Sequence, residues 1–283
     1  MLNATNFRFD LKLILLGFFV AFFSSGIGIG GGTLFVSILM SSVFGFDFKK
    51  ASSTSLATII PISLIGSISH IVLLSEITHL RFYFTFIPSC VLGTLFGMRI
   101  VQRHQNGMFK ILFSVFLLFI SLRMLRIFDF PSLIYNGLNL ILSSNEFALI
   151  VPIGILIGTL AVLLGVGCGL LIVPFFLIVI NLNIHEAITL SLTTMFFITL
   201  SATIIHNKFK TLDINSVKSL FFPALIGAVS GSILSSQLPA PILKKLFGLL
   251  LFCLACKYII YDIALNHKIT QTAKIIQKGK KSW

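Results

Sequence analysis

The residues of this chain whose types and spacing could do chemistry are glycines and hydroxyls. Gly28-Ile29-Gly30-Gly31-Gly32 and Gly165-Val166-Gly167-Cys168-Gly169 each interrupt an apolar run. A helix broken at membrane depth exposes N–H and C=O groups that hydrocarbon cannot satisfy, so a break persists where protein or a water-filled cavity satisfies them. A helix starting at Thr33 or Leu170 would aim its first amides, and the positive end of its dipole, back at the break. That arrangement suits an anion, and glycine lets backbone approach one closely. Gly28, Gly30, Gly31, Gly32, Thr33, Gly165, Gly167, Cys168 and Gly169 are therefore candidate substrate contacts. The competing reading is close helix packing by small residues, and the recurrence of the run at matched positions weighs against it.

Two hydroxyl-rich segments, Ala51 to Ser55 and Thr189 to Thr194, start the helices that follow each glycine run. Neutral donors suit a small oxyanion that must also leave, and Thr54, Ser55, Ser191 and Thr194 are the chosen four; the alternative is helix capping and interhelical bonding. His70 and His206 occupy equivalent positions near helix ends, where each could relay a proton or anchor at the interface. Glu186 and Lys50, also equivalent, read as boundary residues. Cys253 and Cys256 lack the further ligands a metal site needs. The sequence contains no Walker motif, His-Glu-x-x-His, nucleophile elbow or paired membrane carboxylates, so no enzyme, metal or cofactor is expected. Transport would then draw on an ion gradient, of protons or sodium, or be passive.

The elements that must position these residues are membrane helices. Of 283 residues 57% are hydrophobic and only 10% charged, with mean hydropathy +1.06, against about 25% charged in a soluble domain. Long uncharged stretches approach the ~20 residues that cross a bilayer. The four cysteines lie inside apolar runs, which excludes a disulfide scaffold. The net charge of +13 falls at span ends and in the tail, where bases set orientation and meet anionic lipid, so nucleic acid is not an expected partner.

The chain repeats itself. Residues 28–37 match 165–174 without a gap; Ala51, Ser55, Leu56 and His70 fall on Ala187, Ser191, Leu192 and His206, and Gly93 and Gly97 on Gly227 and Gly231. An N-terminal leader would not recur in mid-chain, although Arg8 and Lys12 before an apolar run imitate one. The organisation is an N-terminal repeat (1–128), a loop (129–146), a C-terminal repeat (147–262) and a basic cytoplasmic tail (263–283). Each repeat holds one glycine-broken unit, re-entrant or crossing, plus three spanning helices. If each unit returns to its starting side, Arg8, Lys12, Lys49, Lys50, Arg99, Arg103, Lys110, Lys208, Lys210, Lys218 and the tail bases lie inside; one crossing per unit leaves more bases outside. The first scheme makes three crossings per half, hence inverted repeats. Both keep the two termini in the cytoplasm.

These residues resemble the TauE/SafE family, the sulfite-exporter-like membrane transporters. The likeness rests on the two glycine runs with Val36 and Val173-Pro174, the helix starts at 51–56 and 187–192, and the Gly-x-x-x-Gly pairs, and it covers about 11–262. Ser37 stands where the family usually has proline and Cys168 replaces a glycine. The resemblance implies an all-α polytopic transporter of the inner membrane carrying sulfite, a sulfonate or a related anion, with lipid and the anion as its partners. An anion channel and a non-transporting membrane assembly or anchoring protein are the alternatives.

Overall fold

The structure is a computed structural model that describes residues 11–41, 43–74, 79–101, 117–125, 127, 149–162, 167–208 and 212–257, with the side chains of 100–101 and 206–208 outside the description. All regular elements among them are helices: α1 Leu11–Ile27, α2 Gly32–Leu39, α3 Phe48–Leu74, α4 Leu80–Val101, α5 117–124, α6 Leu149–Val162, α7 Gly169–Ile178, α8 Ile184–Lys208, α9 Ile214–Gln237 and α10 240–257. Among the described residues α3, α4, α8 and α9 are long and apolar enough to cross a membrane. With a rise of about 1.5 Å per residue against a core of about 30 Å, the eight residues of α2 cannot do so alone.

The helices bury hydroxyls among apolar residues and turn large apolar side chains outward. Ser25, Ser55, Thr58, Ser63, His70 and Ser232 are buried, while Phe19, Phe23, Val72, Phe84, Phe96 and Ile226 are exposed. In water this would be unstable; against lipid tails it is the expected distribution, because apolar side chains gain nothing by leaving hydrocarbon and polar ones need partners.

The chain divides into two compact units, residues 1–104 with 131–243, and residues 105–130 with 244–283. The first carries the repeat. Its centre is α3 against α8, equivalent helices of the two halves. Around them two packing pairs have their mates: α2 on α3 matches α7 on α8, and α9 on α3 matches α4 on α8. The Gly-x-x-x-Gly pairs make the closest approaches, and they do so across halves. A Cβ at Gly227 or Gly231 on α9 would run into the carbonyls of Phe18 and Phe22 on α1. Likewise Gly93 on α4 meets Ile155 O, and Gly158 on α6 meets Cys90 O. Hydroxyls reinforce both contacts, with Ser25 Oγ 2.6 Å from Ser232 Oγ and Thr159 Oγ1 donating to Gly93 O at 3.0 Å.

The boundary residues are also paired across halves. Lys50 Nζ lies 3.4 Å from Asp213 Oδ2, and Glu186 Oε1 lies 3.3 Å from His79 Nδ1. Lys50 is equivalent to Glu186 and His79 to Asp213, so a basic–acidic contact repeats with its two partners exchanged between the halves. In the second unit α10 lies against α5, where a Cβ on Gly248 would stand 2.9 Å from Met124 Cβ.

Candidate functional site

The first glycine run stops α1 and starts α2, and the described part of the second starts α7. At the end of α1, Gly28 takes φ 77° and Ile29 N–H donates to Ser24 O at 3.0 Å, a left-handed closure that glycine adopts without steric cost. Gly30 and Gly31 follow with φ 76° and 71°, and Gly167 and Cys168 repeat the pair with 77° and 64°. Gly31 and Cys168 are the N-caps of α2 and α7, and neither contributes a side-chain cap. Leu171 N–H of α7 donates to Cys168 O at 2.9 Å, and the amides before it, like the first of α2, have no carbonyl one turn back to bond to. Gly165 lies outside the described residues.

The breaks meet. Gly169, the first residue of α7, sits so close to the first break that a Cβ there would overlap Gly28 O and come within 2.6 Å of Ile29 O. Gly32 occupies the corresponding place in α2 and its carbonyl accepts from Ser55 Oγ at 3.3 Å. Ser191 Oγ reaches across halves to Gly28 O at 2.8 Å. Between Gly30 and Gly167 stand two equivalent buried side chains, Ile59 and Met195.

Of the four chosen hydroxyls, Ser55 and Ser191 thus come to the breaks and give their protons to break carbonyls. The other two are turned elsewhere: Thr194 Oγ1 donates to Leu190 O of its own helix at 2.7 Å, and Thr54 Oγ1 accepts from Asp213 N at 3.4 Å. His70 is fully buried within the protein. Its Nε2 lies 3.2 Å from Ser25 O, at the end of α1, and its Nδ1 has no partner among the described residues. The side chain of His206 is outside the described residues.

The two breaks differ in polarity. A side chain on Gly31 would lie 2.8 Å from Val20 Cγ1 and 3.0 Å from Ser24 Oγ. In the second half that space holds the Cys168 side chain, whose Sγ donates to Ile157 O at 2.8 Å; Ile157 is the equivalent of Val20, and Ala161 replaces Ser24. The thiol is consumed in tying the left-handed residue to α6, which offsets a conformation costing about 1–2 kcal/mol. At the first break Ser24 Oγ and Thr33 Oγ1, on residues only 1% and 0% exposed, have no hydrogen-bond partner among the described residues. Leu170 stands where the second half would need a Thr33. An unmet buried hydroxyl costs about 1–3 kcal/mol, and buried polar groups are ordinarily met by protein, ordered water or a ligand.

Sequence reasoning missed Ser24, Ile59 and Met195. Ser24 had a signal, since the repeat aligns it with Ala161; the two centre residues had none, being apolar residues in apolar helices.

A family model described as sulfite exporter TauE/SafE matches residues 5–130 and 150–281. A Bacillus subtilis (strain 168) protein named "Probable membrane transporter protein YjnA" is 24% identical over 239 residues, covering 82% of this chain and 93% of that protein. No solved structure matches the chain.

Proposed function

Because this chain belongs to the sulfite exporter TauE/SafE family and is a membrane transporter, we propose that it moves a small sulfur-containing anion by alternating access. The anion, sulfite, a sulfonate or a related oxyanion, is held at the first glycine break. The observation that carries this reading is the pair of buried, unpartnered hydroxyls, Ser24 and Thr33, beside a helix start whose amides and dipole favour negative charge. The second break, with Ala161 and Leu170, lacks that pair.

The two halves work as inverted repeats in the inner membrane, with both termini in the cytoplasm. The mated helix contacts and the polarity-exchanged pairs Lys50–Asp213 and His79–Glu186 support a molecule in which equivalent contacts can alternate. A gradient of protons or sodium drives the cycle, and His70, buried beside the end of α1 with a free ring nitrogen, is the residue we assign to a coupled proton.

Purified protein in liposomes, screened with sulfite, ethanesulfonate and thiosulfate under imposed proton and sodium gradients, tests the function. Movement of none of these under any gradient removes it. Thr33→Val and Ser24→Ala test the site. Each removes a hydroxyl with no protein partner, so the melting temperature in detergent is expected to hold or rise, while flux falls about tenfold through loss of a hydrogen bond to a charged ligand. A lower melting temperature with unchanged flux would mean that the hydroxyls serve only the fold.

A further inference from the structure

Ile59 and Met195 are equivalent in the repeat and both fully buried, yet they are unlike in mechanics. Isoleucine is branched at Cβ and held in few rotamers. Methionine is unbranched, with a soft thioether that adapts to irregular space. Between the breaks one half therefore presents a stiff residue and the other a deformable one.

The deformable residue sits at the crossing of the two breaks. The Met195 methyl lies against Gly30, so close that a Cβ on Gly30 would overlap it, with Sδ at 2.8 Å from the same point. The same methyl would stand 3.4 Å from a Cβ on Gly167, beside Ile59 Cδ1 at 3.2 Å. Gly30 and Gly167 thus leave room that the side chains of Met195 and Ile59 enter. Met195 also has a neighbour that can release it. Ser191 Oγ lies 3.7 Å from Met195 Sδ and 2.8 Å from Gly28 O, and a hydroxyl has one proton to give. Turning that proton wholly to the carbonyl frees the thioether at small cost.

We propose that Met195 is the movable plug of the translocation path. In this form its side chain fills the space between the breaks, and withdrawal of that side chain opens the space to the substrate. The volume of residue 195 then sets the largest anion that passes. The proposal rests on the reading of the first break as the anion site, because it supplies the route by which an anion held there continues past the second.

Two measurements test it. In liposomes, Met195→Ala is expected to raise the ratio of benzenesulfonate flux to sulfite flux about tenfold, the scale on which a removed side-chain group changes selectivity in an apolar site. Met195→Phe should lower both fluxes. A ratio unchanged in Met195→Ala, with sulfite still moving, overturns the plug and leaves the reading of the first break intact. The second measurement needs no substrate. Met195→Cys, placed in a chain lacking the native Cys90, Cys168, Cys253 and Cys256, is expected to react with a charged, membrane-impermeant methanethiosulfonate from one side of the membrane. A well-folded protein that never reacts makes Met195 an ordinary core residue and overturns the proposal. Reaction without transport of any sulfur oxyanion by the parent protein supports the plug and removes the proposed substrate instead.

Discussion

Gly30→Val is expected to abolish sulfite flux, by at least about a hundredfold, or about 2.7 kcal/mol on the transport barrier, while the protein still inserts in the membrane. Insertion depends on the length and composition of the spans, which one more methyl-bearing residue leaves unchanged. Flux depends on the break itself. Gly30 holds φ 76°, a left-handed conformation costing a residue with a Cβ about 1–2 kcal/mol. The new side chain would point at Met195, where even a Cβ overlaps the thioether methyl. Gly167→Val has the same sign through the same pair of side chains, with Ile59 Cδ1 and Met195 Cε within 3.2 and 3.4 Å of its Cβ. Gly45→Ala separates strain from obstruction: Gly45 has φ 63° with nothing within 4 Å of its Cβ position, and its flux should stay close to that of the parent. Normal flux in both valine variants, measured as radiolabelled sulfite uptake, would remove the breaks from the transport path.

Gly231→Val and Gly158→Val are expected to abolish folding rather than flux. A Cβ at either position collides with a backbone carbonyl, Phe22 O for Gly231 and Cys90 O for Gly158, and backbone in a packed helix cannot retreat as a side chain can. Alanine already carries the offending atom, so Gly231→Ala should lose about 1–3 kcal/mol, the usual cost of overpacking. The cost is concentrated at these glycines because helices in lipid gain no hydrophobic free energy by associating and depend on close van der Waals approach. Gly66→Ala meets the rotatable Ser25 hydroxyl instead and should be milder. Size-exclusion profiles and melting temperatures in detergent check the series; a monodisperse Gly231→Val protein melting with the parent would show that α1 and α9 are not held by this contact.

Much of the architecture could be read along the chain. The duplicated glycine runs, the helices that follow them and the Gly-x-x-x-Gly pairs are all visible as spacing, and the left-handed conformations at Gly30, Gly31, Gly167 and Cys168 match the repeat residue for residue. The site was legible only in part. Thr33 and the glycines were singled out, as were Ser55 and Ser191, which do reach the breaks. Thr54 and Thr194 could not be told from them, because a hydroxyl's direction depends on whether a neighbouring helix or its own offers the nearer carbonyl.

The sequence by itself determined that this is a membrane protein in which a glycine run, and the helix that follows it, recur. Those properties are local: charge sparsity excludes water, span length measures a bilayer, and glycine permits φ values that other residues resist. Only the tertiary structure decided that α1 packs on α9 and α6 on α4, so that each half completes the other. It also decided that Gly169 lies on the first break, that Ser24 is left without a partner, and that Met195 stands between the two breaks. The physical reason is that these helices are apolar on nearly every face. With no amphipathic stripe to declare which side turns inward, the inward face is chosen by where two backbones can approach most closely, and that choice joins residues more than a hundred positions apart, such as Ser191 and Gly28.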